Sequence, residues 1–207
     1  MGERMDEKSK IVSPYGRHDD RFGYSVYSCV AFATPEQQRE VQALRDAVRA
    51  QRSMMPAHVT VKGTFCEIPS LDTVKVLVAG VAEATPGFVV EFAGGIKLGR
   101  TYDTAAGWAG VDFRKTPELV GRHDRLYDAL APVTTNAYGR EQGDDYRPHM
   151  TVFDEPLPEL KQLGRELAAK TTLIGSGFPA REIWLMGHVG PPYRGRWTPI
   201  ESFKLKV

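Results

Sequence analysis

Apolar and polar positions along the chain fall into strand-like and helix-like blocks that alternate irregularly. Residues 22–32, FGYSVYSCVAF, are rich in aromatic and β-branched side chains and predict a first strand. Thr34-Pro35-Glu36-Gln37 ends it, with threonine as N-cap, proline at the first helical position and glutamine three residues after the cap. Val41, Leu44 and Val48 come next at helical spacing, so a helix is expected to run to about Ser53, ahead of an apolar strand around His58. Ser70 can cap a second helix that buries Leu71, Val74, Leu77, Val78 and Val81. Strands at 88–98 and 108–113 flank a glycine-rich, polar stretch at 99–107. Thr116-Pro117-Glu118 opens a third helix carrying Leu119, Leu126 and Leu130. The polar, turn-rich segment 134–148 reads as a loop into a further strand at His149. A fourth helix carries Leu160, Leu163 and Leu167, and strands are expected at 182–189 and near 197–205.

This alternation carries no phosphate-binding glycine loop and no dinucleotide fingerprint. It suggests an α+β protein of two related lobes, each with an antiparallel or mixed sheet backed by helices. A length of 207 residues suits one domain or two small lobes folded as a unit, and 42% hydrophobic residues supply its core. The formal charge of +1, from 27 basic and 26 acidic residues, argues against long duplex nucleic acid as the main partner and leaves a short nucleotide open. Two cysteines, Cys29 and Cys66, are too few for a disulfide framework and too far apart for a zinc knuckle. They fit a reduced cytoplasm. No stretch approaches the roughly 18–20 apolar residues of a membrane span, and MGERMDEKSKIVSPYGRHDDR lacks the apolar core of a secretory signal. The expectation is a mobile tail over residues 1–20, then a single domain over 21–207 that is cytoplasmic and works as a monomer without a membrane partner.

The chemistry concentrates in two short stretches. PAHVTVKGTF, residues 56–65, and RPHMTVFDEP, residues 147–156, each place a histidine, any residue, a threonine and an apolar residue after a proline. Strand side chains alternate, so His58, Thr60 and Lys62 are expected on one face and Val59 and Val61 on the other. Likewise Arg147, His149, Thr151 and Phe153 should share a face, with Met150 and Val152 opposite. Two lobes related by an approximate two-fold would gather both imidazoles and both hydroxyls around one small cavity. Such a cavity suits a phosphodiester. One histidine takes a proton from the attacking oxygen, the other protonates the departing oxygen, and the threonines donate to the non-bridging oxygens. Lys62 and Arg147 would add positive charge, and Phe153 could stack a base. A histidine meets threonine two places on by chance about once in fifteen at this threonine content, so one motif means little; two among five histidines is a coincidence at the level of a few per cent.

With these residues in view, HVTVKGTF and PHMTVF resemble the paired His-x-Thr-x signatures of the 2H phosphoesterase superfamily, which includes 2′-5′ RNA ligase-like proteins and cyclic phosphodiesterases. The resemblance implies a bilobal LigT-like fold with the active site in the cleft between pseudo-symmetric lobes. It implies metal-independent chemistry, with no cofactor, on a nucleotide or short RNA bearing a 2′,3′-cyclic phosphate or a 2′-5′ phosphodiester. His58 and His149 would be the acid/base pair, His58 as proton donor and His149 as base, with Thr60 and Thr151 binding the phosphate. RNA-processing relatives often carry a basic residue soon after the second motif; here Phe153 and Asp154 stand there, which weighs against long RNA.

Lys62, Arg147, Tyr146 and Phe153 remain candidates for substrate contact. Tyr102 and Trp108 flank a stretch that could recognise a base, although core packing is the simpler expectation for Trp108. His18, His123 and His188 have no partner at motif spacing and read as structural or solvated. Asp144 and Asp145 near His149 match no metal-ligand pattern, and no metal is assigned. Two other functions stay open at this point. One is a nucleotide-binding module with the same pocket and no chemistry. The other is a metal-dependent hydrolase using the histidines as ligands.

Overall fold

A computed structural model describes residues 22–50, 55–66, 68–100, 106–136, 145–170, 177–190 and 195–206. The expected tail, Tyr102, Asp144 and His18 lie outside them; the first helix, expected to reach about Ser53, ends earlier, at Ala47, where the chain turns through Arg49 at a φ of 58°. Thirteen elements follow in order: β1 (Tyr27–Phe32), α1 (Pro35–Ala47), β2 (His58–Cys66), α2 (Leu71–Glu83), β3 (Phe88–Arg100), β4 (Ala106–Phe113), α3 (Pro117–Leu130), β5 (Thr135–Asn136), β6 (His149–Pro156), α4 (Leu157–Lys170), β7 (Gly177–Ala180), β8 (Glu182–Val189) and β9 (Arg196–Lys204).

The helix starts are those the sequence dictates. Thr34 accepts from the backbone N–H of Gln37, whose side chain reaches back to the cap in a full capping box. Ser70 accepts from Thr73 N–H at the head of α2, and Thr116 from Leu119 N–H at the head of α3. Thr-Pro-Glu at 34–36 and again at 116–118 is thus a second internal repeat beside the His-x-Thr pair. The strands form two sheets, β5-β2-β1-β8-β9 and β6-β4-β3-β7. Every strand pairing within them is antiparallel, so the sheets are not mixed. Helices α2 and α3 back the first sheet; α4 backs the second, with α1 packed on its β6 edge. The helix-facing side chains of both sheets join one hydrophobic cluster running from Val59 and Leu185 to Val111 and Phe178. Two elements were not expected from the pattern: β5, inside the supposed loop, and β7, a four-residue strand, GFPA, containing a proline. No described helix is long and apolar enough to cross a membrane.

Both motif strands depart from simple alternation, at the same place. On β2, Thr60 pairs with Val30 and Lys62 with Cys29, so Val61 is an extra residue. On β6, Thr151 pairs with Gly110 and Phe153 with Ala109, so Val152 is an extra residue. A bulge directly after the motif threonine reverses the facing of the residues beyond it. Lys62 and Phe153 therefore turn to the helix side rather than sharing a face with the histidines. Lys62 is 2% exposed, and its ammonium lies over Tyr127 and Phe65 and donates to Asn136 Oδ1. Phe153 is 0% exposed within the shared core.

Candidate active site

The geometry of the two motifs is matched atom for atom. His58 Nδ1 donates to the carbonyl of Pro56 at 2.7 Å, and His149 Nδ1 donates to the carbonyl of Arg147 at 2.8 Å. In each case the acceptor lies two residues earlier, on the proline lead-in. This fixes the tautomer and leaves Nε2 as the nitrogen available for chemistry. Both rings are half-buried, as are Thr60 and Thr151. The strands β2 and β6 belong to different sheets yet touch each other. The imidazoles are close enough that a charge on His149 disfavours one on His58.

Burial pushes the His58 pKa down to about 4, and the His149 and Arg45 charges add to that; the Pro56 carbonyl opposes it. Burial also lowers His149, and Lys97 pushes the same way, but the Arg147 carbonyl and the Asp112 carboxylate oppose it. Asp112 stands opposite His149 in the β4–β6 ladder and forms an ion pair with Lys97 at 3.2 Å. Ring contacts differ as well. His149 lies flat on Trp108, centroids 4.2 Å apart and planes 10° from parallel, whereas His58 meets only the edge of Phe32 at 6.3 Å. Trp108 in turn fits only because Gly99 stands opposite it: a Cβ there would come within 2.1 Å of the indole. The register is equally tight at Gly110, where a Cβ would sit 2.2 Å from the Met150 carbonyl oxygen.

Each bulge leaves a strand carbonyl in need of a donor, and each receives one from a helix. His123 of α3 donates Nδ1–H to the Val61 carbonyl at 2.7 Å. Arg45 of α1 donates Nε–H to the Val152 carbonyl. The first bulge is braced further: the Tyr146 hydroxyl donates to the Thr60 carbonyl at 2.5 Å, and its ring stacks on His123 at 3.9 Å and 11°. Tyr146 closely precedes the second motif, so this bond ties one motif to the other.

The structure therefore sorts the sequence candidates. His58 and His149 come within each other's electrostatic reach where β2 meets β6, each with its motif threonine two residues on. Arg147 is exposed beside His149 and orients it through its backbone carbonyl. Tyr146, 4% exposed, is a brace rather than a substrate contact, and Lys62 and Phe153 are core residues. His188 is buried with Nδ1 at 3.1 Å from Ser25 Oγ, a structural role as expected. Trp108, expected in the core, instead stacks on the His149 ring, and His123, Arg45, Asp112 and Lys97 were not foreseen as site residues. The bulge donors act from distant helices, which no local pattern reveals; the signal available for Trp108 was the glycine it packs on. Among the described residues, no group of three or more His, Cys, Asp or Glu is gathered to hold a metal ion.

Solved structures share this architecture. The protein TT0787 of Thermus thermophilus superposes with a TM-score of 0.58 at 15% identity, over 87% of this chain and 97% of that one. E. coli LigT in its apo form gives 0.54 at 16% identity, over 88% and 98%, and LigT complexed with 3′-AMP gives 0.53 at 17%, over 86% and 96%. At such identities the likeness is one of fold. No curated protein matches the chain in sequence. A family model described as the 2′-5′ RNA ligase superfamily matches residues 33–191. That span holds both histidine motifs, both bulges and the helices that cap them, and the chain belongs to the 2′-5′ RNA ligase superfamily of LigT-like 2H phosphoesterases.

Proposed function

We propose that the protein is a metal-independent phosphoesterase acting on a 2′,3′-cyclic phosphate or 2′-5′ phosphodiester of a nucleotide or short RNA. The observation that carries this is the matched pair of imidazoles, each locked through Nδ1 with Nε2 left for proton transfer and a threonine two residues on. One neutral imidazole removes a proton from water as its oxygen attacks phosphorus. The other, as imidazolium, gives a proton to the ribose oxygen that departs, and one P–O bond forms as one breaks. Thr60 and Thr151 donate to the non-bridging oxygens and stabilise their charge as the transition state forms. LigT, similar in fold, has been crystallised with phosphate and with 3′-AMP, ligands of the size this reading calls for.

The charge distribution favours His149 as the protonated partner and His58 as the base, the reverse of what the family resemblance implied. The charged groups acting on His58 are His149 and Arg45, both cationic, while His149 has the Asp112 carboxylate opposite to offset Lys97 and the indole face of Trp108 beneath it. A cation gains from both a carboxylate and an aromatic face. Turnover of a nucleoside 2′,3′-cyclic phosphate in excess chelator tests the reading. His58→Ala and His149→Ala should each lose about 10²–10⁴-fold in kcat with the fold retained. Full activity in either variant refutes the two-histidine mechanism.

A further inference from the structure

The two histidines sit in unequal surroundings, and the difference marks where the rest of the substrate goes. On the first sheet the register sets Phe32 opposite His58, and Val30 opposite both Thr60 and Trp184. Residues directly opposite in a ladder share a face, so His58, Thr60, Phe32 and Trp184 all face the same way. Their rings form a continuous row: Phe32 meets His58 edge-to-face at 6.3 Å and Trp184 edge-to-face at 5.7 Å. At the far end of this row lies a cavity of about 400 Å³, walled by Phe32, Trp184, Pro35 and Pro179, with Arg181 and Glu36 among its polar lining residues. The indole is held in orientation, because Trp184 Nε1 donates to Glu182 Oε1 at 2.9 Å. Phe32 and Trp184 are both half-buried, so each keeps surface for a ligand.

The surroundings of His149 are arranged differently. Trp108 spends one face on His149, and its indole fills the room above Gly99. An apolar cavity with convergent aromatic walls and a few polar groups is what a planar heterocycle needs. Stacking on an aromatic side chain strengthens the binding of a base by about tenfold or more and tolerates any base.

We infer that the Phe32–Trp184 cavity is a nucleobase subsite, seating the purine or pyrimidine ring of the nucleotide whose phosphate lies between Thr60 and Thr151. The inference rests on the phosphoesterase reading and adds that the base lies on the His58 side. Arg181 and Glu36 offer a donor and an acceptor to the ring edge. Phe32, touching both His58 and Trp184, links base binding to the placement of the catalytic ring.

The test compares adenosine 2′,3′-cyclic phosphate with methyl riboside 2′,3′-cyclic phosphate, which has no base. The ratio of kcat/KM for the two should fall about tenfold in Trp184→Leu and stay within threefold of wild type in Trp184→Phe, which keeps an aromatic wall. An unchanged ratio in Trp184→Leu overturns the subsite, as does a wild-type enzyme that handles both substrates equally. If wild type turns over neither compound, the phosphoesterase reading fails separately, and direct calorimetry with AMP decides the subsite. Binding by wild type that weakens about tenfold in Trp184→Leu supports it; no binding, or equal binding, refutes it. Matching thermal melts of the variants exclude unfolding as the cause.

Discussion

His123→Phe isolates the hydrogen bond that holds the first bulge. Phenylalanine preserves a flat ring against Tyr146, whose stack on His123 is nearly parallel, and removes the donor to the Val61 carbonyl. Val61 is fully buried. The orphaned carbonyl cannot turn to water and carries its desolvation cost, about 1–3 kcal/mol. For a chain of this size each kcal/mol lowers Tm by about 2–4 °C, so a drop of roughly 2–12 °C is expected in a thermal melt followed by circular dichroism. Activity should suffer beyond stability. The bulge sets the direction of Thr60, and a misplacement of about 1 Å in a positioned group costs on the order of 10²-fold. The expected signature is a kcat lowered about 10–100-fold with a smaller change in KM. A variant within about 0.5 kcal/mol of wild type in stability and within twofold in kcat would refute the claim that this bond positions the threonine.

Other outcomes follow from the same geometry. Thr60→Val and Thr151→Val keep strand shape and remove the phosphate donors; each should lower kcat by about 10–10³-fold in steady-state assays with little change in Tm. The pH profile of kcat/KM should be a bell with its optimum below the ordinary histidine pKa of about 6.5, because burial depresses both imidazoles. Asp112→Asn removes the charge that props up His149 and should move the alkaline limb to lower pH, while Lys97→Met should move it higher. Since the fold prefers neutral His58, that residue's contribution to stability is complete above about pH 6.5 and is lost as pH falls toward 4, measurable as denaturation midpoint against pH in wild type and His58→Asn. Gly99→Val drives a side chain into the Trp108 indole, and should shift the pH profile as well as lower kcat by displacing the stack on His149.

The sequence made the helix starts legible because their chemistry is local: Thr34, Ser70 and Thr116 each cap a helix within three residues of themselves. The shared facing of each motif histidine and its threonine was legible because period-two alternation holds up to Thr60 and Thr151. It fails one residue later, at Val61 and Val152, and with it went the expected facing of Lys62 and Phe153. Nothing in a strand-forming valine announces that it will be bulged; the donors that make the bulge tolerable, His123 and Arg45, lie 62 and 107 residues away in sequence. Trp184 and Phe32 were read as strand residues, which they are. Their shared face required the pairing of the first strand with the eighth, a non-local fact. The short β7 was hidden by its proline and by its four-residue length.

The strand order has a temporal consequence. The sheet that carries His149 is built from β3, β4, β6 and β7, all lying between residues 88 and 180. The sheet that carries His58 has β1 as its central strand and needs the distant β8, with β9 beyond it, to flank that strand. On a ribosome the second motif's sheet can close while the first waits with an open edge, because pairing across that separation bears the larger loop-closure entropy. The half of the fold that bears His149 is thus local in sequence, whereas the half that bears His58 is completed only when β8 and β9, between residues 182 and 204, join it.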